Sequence, residues 1–452
     1  MYYKILFILT LLINSIIGQS FFNSSFGNEI GFQSARSYAI GQTHFMNSNT
    51  SALALRNPAK LGFLKEGIKA DFNLLGSMYS ERRSLNLQDY FGDFLTEGDY
   101  VLNNNFYNYN QFGVIRNFKI FFMNFGFAIS HGPWSTMDYR YEEEVRGSAS
   151  YDDGIIGTRD PIVGYHILEH EGEITLTSFA LGLGINESIS IGLGINSLND
   201  GMHKYDMRVI PIIGESTENL APIINTSGGS SNYSGDIFPS ISGIFKKSGF
   251  ELSIGYEHSA EIKSDNISSY SDFSGLPIYI SPGTLSGDQF TEIDPSDASS
   301  IYEIEDNFEL MYLVGFNIEK PKKIKIGFNH QEGANSNSRL FSIEVIKNQF
   351  DNSFYQDFHN INLGVEYSKY NKVLRMGISY KEPSLQVLYP VTTFCFGTSR
   401  EFNNITFDLG ASYSYQKYKY HDLFPVQGDV RPDFDTVHES NWSLVSTISY
   451  TF

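Results

Sequence analysis

The chain has 452 residues, with 32 Lys and Arg against 51 Asp and Glu, and therefore a net charge of −19. This acidity argues against a nucleic-acid partner, because no basic face is available to neutralise phosphates. Only 41% of the residues are hydrophobic, which is too few for a bundle of membrane helices, whereas the 37 Phe and 29 Tyr favour β structure. The single cysteine, Cys395, excludes an intramolecular disulfide and a cysteine-based zinc site.

The N-terminus is typical of an exported protein. Lys4 precedes an apolar run from Ile5 to Ile17, and Gly18 supplies a small residue at a plausible cleavage point. Residues 1–18 are therefore predicted to be a signal peptide, and their apolar run is too short to cross a bilayer as a helix. Because no apolar stretch of membrane-spanning length follows, the mature chain is expected either to be soluble or to insert as a β-barrel.

Strands joined by tight turns dominate residues 67–452. A first strand at Ile68–Tyr79 and a last strand at Trp442–Phe452 flank six predicted hairpins, which gives about 14 strands. The hairpins pair Phe106–Ile115 with Ile120–Ser130, Thr175–Ile185 with Ser188–Asn196, Ile237–Phe245 with Phe250–Ile262, Phe308–Ile318 with a strand from Ile324, Ile361–Tyr367 with Val373–Tyr380, and Thr392–Ser399 with Ile405–Tyr418.

Long polar segments separate these hairpins and are predicted to be external loops. They lie at about 81–105, 132–173, 199–235, 263–307, 331–355, 382–390 and 419–441. Soluble domains seldom tolerate so many long loops, whereas outer-membrane barrels alternate short turns with long loops. A β-propeller is the main alternative, but no repeat of its usual period is present. We therefore predict an all-β fold, a transmembrane antiparallel β-barrel in contact with outer-membrane lipid.

The last strand supports this prediction. One face carries the large apolar residues together with a single Ser, and the other face is mostly Ser and Thr. The first face comprises Trp442, Leu444, Ser446, Ile448, Tyr450 and Phe452, and the second comprises Ser443, Val445, Thr447, Ser449 and Thr451. A strand whose apolar face meets lipid and whose polar face lines the lumen has this pattern. The terminal Phe452 resembles the aromatic signal that the barrel-assembly machinery recognises in bacterial outer-membrane proteins. Trp442, Tyr450 and Phe452 are therefore the candidate assembly residues.

Charge differs between the two sets of connections. Ten basic residues surround the six predicted tight turns, whereas the segment 264–307 contains nine acidic residues and no Lys or Arg. This distribution predicts a basic rim and an acidic rim, although charged loops are also simply well solvated. The basic residues are Arg116, Lys119, Lys246, Lys247, Lys320, Lys322, Lys323, Lys369, Lys372 and Arg400.

The segment Ala35–Leu64 resembles the N-terminal region of FadL-type channels for hydrophobic compounds and of the related PorV-like outer-membrane proteins. Their Asn-Pro-Ala-x-Leu signature is matched by Asn57, Pro58, Ala59 and Leu61. The resemblance implies a 14-stranded barrel plugged by an N-terminal hatch, here residues 19–66, with these four residues controlling access. A barrel of this width without an insert would leak small solutes.

The two branches of this superfamily imply different functions. FadL-type channels take up hydrophobic compounds such as long-chain fatty acids through their external loops and release them sideways into lipid. PorV-like barrels act as partners of a secretion-system protein or in surface attachment. The long loops here are rich in Ser, Gly and Asp, and two apolar patches either form a groove for a small hydrophobic ligand or pack the loop over the barrel. Their candidate contact residues are Val209, Ile210, Ile212, Ile213, Leu220, Ile223 and Ile224.

No convincing catalytic motif is present, so an enzyme is not expected. The two G-L-G-I-N runs at 182–186 and 192–196 lie in predicted strands and indicate close wall packing rather than phosphate binding. Acidic clusters such as Asp288, Asp294 and Asp297 do not match a calcium-loop spacing, so neither a metal nor another cofactor is expected. The first hypothesis is passive uptake of hydrophobic compounds; the alternative is the PorV-like partner role.

Overall fold

The computed structural model describes residues 27–91, 93–146, 162–211, 225–271, 279–280, 290–291, 317–334, 337–352, 355–370, 372–385, 388–420 and 435–452. The predicted signal peptide and residues 19–26 of the predicted hatch lie outside the described residues. Across the described ranges, no helix is both long and apolar enough to span a membrane.

Short elements precede a long series of strands. In the described part of the chain they are β1 (Asn28–Glu29), α1 (Ala35–Ala39), α2 (His44–Asn47), α3 (Leu53–Arg56) and a 3-10 helix (Pro58–Phe63). The strands that follow are β2 (Gly67–Gln88), β3 (Phe94–Ile120), β4 (Met123–Thr136), β5 (Tyr139–Arg146), β6 (Ile162–Gly184), β7 (Ile189–Leu198), β8 (Gly201–Pro211), β9 (Asn225–Ser234), β10 (Ile237–Lys247), β11 (Phe250–Glu257), β12 (Ala260–Ser271), β13 (Tyr279–Ile280), β14 (Phe290–Thr291), β15 (Ile318–Lys320), β16 (Lys322–Ala334), β17 (Asn337–Gln349), β18 (Phe358–Lys369), β19 (Lys372–Lys381), β20 (Val391–Phe402), β21 (Ile405–Tyr420) and β22 (Asp435–Thr451).

Fourteen of the described strands close into an antiparallel barrel, which confirms the predicted fold class. Their order around the wall is β2, β3, β4, β6, β7, β10, β11 and then β16 to β22. The ring closes where β22 pairs with β2, from Lys69 opposite Thr451 to Ser84 opposite Thr436. Closure leaves no free sheet edge along the paired part of the wall.

The two faces of the wall meet different surroundings. In β22, Trp442, Leu444 and Ile448 are exposed on the outer face, whereas Val445 and Thr447 are fully buried on the inner face. Large apolar residues are exposed in the same way on the outer faces of the other wall strands. An apolar outer belt on a closed barrel is the arrangement that a lipid bilayer requires, so we treat the wall as membrane-spanning.

The short connections lie at one rim of the barrel, together with the start of β2 and the end of β22. We call this rim the turn rim. The connections are those of β3–β4, β6–β7, β10–β11, β16–β17, β18–β19 and β20–β21. Ser248 and Gly249, between β10 and β11, have φ angles of 50° and 84°, and Asn403 has a φ of 53°. Positive φ angles are typical of the tightest hairpin turns. We call the opposite rim the loop rim.

One predicted hairpin is wrong. β11 pairs directly with β16, and the next wall strand is β17, within the segment predicted to be the loop 331–355. Residues 308–316 lie outside the described residues, whereas Ile318–Lys320 forms β15, which pairs with β12. The charge of Glu344 obscured the strand in the sequence; its carboxylate is fully buried on the inner face.

The predicted loop at 81–105 is also wrong, because β2 and β3 continue as a paired hairpin to Gln88 and Phe94. Glu81 and Arg83, which look loop-like in the sequence, form a buried ion pair at 2.7 Å. The segments predicted as loops at 132–173, 199–235 and 263–307 contain strands too. There β5, the outer part of β6, β8, β9 and β12 extend the sheet beyond the loop rim, where β15 also pairs with β12.

Three residues of the predicted basic rim lie at the opposite rim of the barrel in the structure. Lys322 pairs in register with Gln349, the last residue of β17, so the start of β16 lies at the loop rim. The tight turn predicted at these lysines does not connect two neighbouring wall strands. The loop rim therefore includes Lys320, Lys322 and Lys323.

Candidate functional site

Residues 28–63, which we call the luminal segment, lie inside the barrel. Glycines on the inner wall allow its backbone to approach closely: a Cβ at Gly192 would lie 2.2 Å from the nitrogen of Ala59, and one at Gly364 would lie 2.4 Å from the oxygen of Ile40. The close wall packing predicted for the G-L-G-I-N runs is therefore confirmed. Further glycines next to the luminal segment are Gly113, Gly126, Gly182, Gly184, Gly194, Gly255, Gly327, Gly377, Gly397 and Gly410.

The four residues of the Asn-Pro-Ala-x-Leu signature lie where the luminal segment packs against the inner wall. Asn57 and Ala59 are fully buried, and the backbone N–H of Ala59 donates to the Ser242 hydroxyl at 2.8 Å. Pro58 begins the 3-10 helix, and the oxygen of Leu61 accepts a hydrogen bond from Asn117 at 2.6 Å. These bonds explain how the four residues are held against the wall; their gating role stays a prediction.

A buried carboxylate fixes the second helix of the luminal segment. Glu344 accepts hydrogen bonds from the backbone N–H groups of Phe45 and Met46 at 2.9 and 3.0 Å. Asn362, on the neighbouring strand, donates to the other oxygen of the same carboxylate at 3.1 Å. Since buried N–H groups need partners, Glu344 supplies the acceptor that α2 lacks at its beginning.

A chain of ion pairs connects α1 to three wall strands. Arg36 contacts Glu366 at 2.9 Å, Glu366 contacts Arg375 at 2.6 Å, and Arg375 contacts Asp408 at 2.6 Å. Two arginines and two carboxylates alternate, so each buried charge has a partner of opposite sign. This chain links the luminal segment to β18, β19 and β21.

The start of the luminal segment is also charged. Burial by itself raises the pKa of Glu29. The cations of Lys323 and Arg56 outweigh this effect and lower the pKa to about 2. Lys323 donates to Glu29 Oε2 at 2.6 Å. This ion pair holds β1 to the wall. In α2, later in the luminal segment, burial lowers the pKa of His44, and the cations of Arg56 and Lys325 lower it further, so that this imidazole is neutral.

A cavity of about 280 Å³ lies between the luminal segment and one side of the wall. Its lining combines the rings of four buried tyrosines and a few aliphatic side chains with uncharged polar groups and with four charged residues, Glu29, Lys381, Glu382 and Glu439. The tyrosines are Tyr38, Tyr79, Tyr107 and Tyr109, and the other lining residues include Ile30, Gln33, Leu75, Ser77, Ser379, Leu388, Ser414, Asn441 and Ser443. An amphipathic molecule would satisfy both kinds of surface.

The wall is interrupted beside this cavity. The β3–β4 ladder ends where Phe112 faces His131, although β3 remains paired with β2 as far as Phe94. Pro133 cannot donate to a ladder, and the β4–β6 register shifts at this residue. Beyond it, β4 pairs with β1 of the luminal segment instead of β3. We call this place the wall break.

A glutamine side chain occupies the wall break. Gln111 donates to the Ser130 hydroxyl of β4 at 3.2 Å and accepts from the backbone N–H of Gln33 at 3.0 Å. Gln33 itself lines the cavity. Two hydrogen bonds from one side chain therefore separate the cavity from the outer face at this point. These residues were not predicted from the sequence, although a Pro at the end of a strand is a usual signal of a bulge.

Two of the candidate contact residues lie in a described strand. The backbones of Val209 and Ile210 belong to β8, opposite His166 and Tyr165. Ile212, Ile213, Leu220, Ile223 and Ile224 lie outside the described residues. Where β8 and β9 continue the sheet, a packed apolar cluster joins the luminal segment to the extension; it includes Phe32, Leu55, Trp134, Leu198 and Phe238. The role of the candidate contacts stays a prediction.

The candidate assembly residues lie on the outer face of β22. Trp442, Tyr450 and Phe452 are all exposed, and the rings of Tyr450 and Phe452 meet edge to face with centroids 4.7 Å apart. The N–H of Phe452 donates to the oxygen of Ile68 at 2.9 Å, next to the first wall strand. Recognition by the assembly machinery stays a prediction.

Within the described ranges, no group of three or more His, Cys, Asp or Glu could hold a metal ion. The acidic cluster at Asp288, Asp294 and Asp297 lies outside the described residues. His170 and His203 form a fully buried pair, with Nδ1 and Nε2 2.9 Å apart. Burial lowers the pKa of His203 to about 3, so the pair is neutral.

The fold matches solved barrels of known class. A crystal structure of a Pseudomonas aeruginosa FadL homologue aligns over 94% of this chain and 100% of its own, with a TM-score of 0.57 and 13% identity. A deltaS2 mutant of the TodX monoaromatic hydrocarbon channel aligns over 93% of this chain and 99% of its own, with a TM-score of 0.50 and 12% identity. The chain has the FadL-type fold. The predicted resemblance is thus confirmed at the level of the fold. No family model matches the sequence, and no curated protein matches it.

Proposed function

We propose that this protein is an outer-membrane channel for the passive uptake of hydrophobic compounds, exported by the signal peptide at residues 1–18. The wall break beside the cavity carries the proposal, because it gives a ligand a path from the lumen to the lipid-facing surface. The FadL-type fold supports the same class of function, because the two similar structures are those of a FadL homologue and a monoaromatic hydrocarbon channel.

The direction of movement follows from the positions of the cavity and the luminal segment. A ligand reaches the cavity from the loop rim and leaves sideways through the wall break when the bond between Gln111 and Gln33 opens. The luminal segment acts as the hatch, since its glycine contacts and ion pairs close the lumen beneath the cavity. Nothing in this path needs an energy source, so transport is diffusive.

The polar groups in the cavity favour a ligand with a polar end. Hydroxyl and amide groups such as those of Ser379 and Asn441 can hold a head group, while the rings of Tyr107 and Tyr109 contact an apolar body. A long-chain fatty acid has this form, and a simple aromatic hydrocarbon lacks the head group. We therefore propose the amphipathic ligand as the preferred substrate.

The test compares cells that produce the protein with cells that lack it, using radiolabelled oleate and toluene at equal concentrations. We expect the protein to raise the initial rate of oleate uptake more than that of toluene. Purified protein should also contain extractable lipid by mass spectrometry. Equal uptake in both cell types, no bound lipid and a stoichiometric co-purified protein would overturn the proposal in favour of the PorV-like partner role.

A further inference from the structure

The far end of the β2–β3 hairpin exposes an apolar cluster that the proposed uptake does not use. Tyr90 is 98% exposed and Phe91 is 86% exposed, and Leu87, Phe94 and Leu95 of the same hairpin are exposed too. Contiguous exposed aromatic surface is unfavourable in water and marks sites of interaction. We call this cluster the hairpin tip; its residues are Leu87, Tyr90, Phe91, Phe94 and Leu95.

Local hydrogen bonds shape the hairpin tip. One carboxylate oxygen of Asp89 accepts from the backbone N–H groups of Phe91 and Asp93, at 2.8 and 2.9 Å. The rings of Tyr90 and Phe91 meet edge to face, with centroids 5.7 Å apart. This turn presents its aromatic side chains outward in a defined arrangement, which lowers the entropic cost of binding through them.

Ion pairs fix the hairpin below the tip. Glu97 contacts Lys417 at 2.7 Å and His438 at 2.9 Å, on the two strands that precede β2 around the barrel. Within the hairpin, Arg82 contacts Asp99 at 3.1 Å. The hairpin is therefore attached to the barrel on one side and closed across its own two strands. These contacts fix the base of the tip against β21 and β22.

The height of the tip excludes the bilayer as its binding surface. Met78 faces Trp442 in the register of β2 and β22, and an exposed Trp at the end of the apolar belt is typical of the membrane interface. The hairpin continues for about ten residues beyond Met78, and each strand residue adds about 3.3 Å, so the tip lies on the order of 30 Å further along the strands. Lipid chains do not reach this height.

Charge indicates what does bind there. The sequence from Ser84 to Ile115 contains no Lys or Arg, and Asp89 and Asp93 lie within the tip itself. A second copy of this acidic chain would bring like charges together. We propose that the hairpin tip is a docking site for another protein, one that offers an apolar pocket bordered by Lys and Arg side chains.

The size of the cluster fits the centre of an interface. An aromatic side chain buries about 150–250 Å², so the three aromatics of the tip would bury on the order of 500 Å². A stable interface buries about 800 Å² on each partner. The tip would thus form the apolar core of the contact, with Asp93 and neighbouring polar residues at its rim.

Photo-crosslinking from the tip tests this proposal in cells that natively produce the full chain. A photoreactive phenylalanine analogue replaces Phe91, and the adduct is identified by mass spectrometry. The identified protein is then purified and titrated against the detergent-solubilised barrel. Phe91→Ala with Phe94→Ala should weaken binding at least tenfold, Asp93→Lys should weaken it severalfold, and added salt should weaken it further. Heat-modifiable migration on gels verifies that each barrel is folded.

The control changes two equally exposed aromatics at the turn rim, Phe122→Ala and Tyr370→Ala, and should leave binding unchanged. Adducts only with glycolipid, with a second copy, or within the same chain would overturn the proposal, as would the lack of any adduct. A partner that binds the tip variant and the parent equally would also overturn it. Uptake of oleate is a separate readout and should not change in the tip variant.

Discussion

Glu366 of β18 holds Arg36 of α1 through both carboxylate oxygens, with N···O distances of 2.9 and 3.0 Å. This bidentate pair is a direct charged contact between the luminal segment and the wall, and Arg375 contacts the same carboxylate from the neighbouring strand. Paired arginine and carboxylate groups have a fixed geometry, so the contact determines the position of α1 as well as its stability.

Replacing this carboxylate should loosen the luminal segment. In Glu366→Gln, Arg36 and Arg375 face a neutral amide, and breaking a buried pair in this way costs on the order of 3 kcal/mol. We expect a lower free energy of unfolding in urea and faster hydrogen exchange at residues 35–47. Glu332→Gln is the control, since that side chain is 64% exposed and its pairing with His330 is weak. Equal exchange in both variants would contradict the role assigned to Glu366.

The glycine contacts predict a position-dependent effect of adding one methyl group. In Gly192→Ala the new Cβ would lie 2.2 Å from the Ala59 nitrogen, so the 3-10 helix must shift, at a cost of about 1–3 kcal/mol. Gly243→Ala is the matched control, because no atom lies within 4 Å of its Cβ position. Urea unfolding of the two variants measures the difference. The account would be wrong if Gly243→Ala were the more destabilising change.

The side chain at the wall break should control access to the lipid-facing surface. Gln111→Ala removes the bonds to Ser130 and Gln33, so we expect oleate uptake to rise, while the unfolding free energy falls by about 1–3 kcal/mol because the N–H of Gln33 loses its acceptor. Asn110→Ala changes the adjacent residue, whose side chain is exposed, and should leave uptake unchanged. Uptake that falls or stays constant in Gln111→Ala would argue against a lateral exit at this place.

Acid should release the start of the luminal segment. The pKa of Glu29 is lowered from 4.5 to about 2, so its pairing with Lys323 stabilises the folded state above pH 4.5. This contribution declines as the pH falls from about 4.5 towards 2, because the unfolded state then binds a proton at this carboxylate that the folded state does not. We expect hydrogen exchange at residues 28–33 to accelerate across this window in the parent. In Glu29→Gln the exchange should already be fast at pH 7; a parent-like profile would contradict the assignment.

Much of the wall was predictable from the sequence, because lipid on one side and a polar lumen on the other impose a two-residue period. Trp442 and Leu444 on the outer face and Thr447 on the inner face follow that rule. β17 was missed because Glu344 resembles a loop residue until its partners in α2 are known. The number of strands was correct even though one hairpin was assigned to the wrong segment.

The candidate site was only partly predictable. The signature at Asn57 and Pro58 drew attention to a segment that lies against the inner wall, but its role as a hatch stays a prediction. The cavity was not found, because its lining comes from strands far apart in the sequence, such as those of Tyr107 and Asn441. Closure of the barrel brings such distant residues together. No short pattern in the sequence encodes that closure.

We predict that the luminal segment must move for a ligand to leave through the wall break, because the bond that closes the break comes from the backbone N–H of Gln33, three residues before Arg36. Arg36→Cys with Glu366→Cys, in a Cys395→Ala background, allows a short reducible linker to join α1 to β18. Val373→Cys with Ser399→Cys is the control, because these residues are direct partners on adjacent wall strands and a linker there leaves the luminal segment free. We predict that crosslinking abolishes oleate uptake in the first variant, that reduction restores it, and that the control transports throughout. Unchanged uptake with α1 fully crosslinked to the wall would contradict the account.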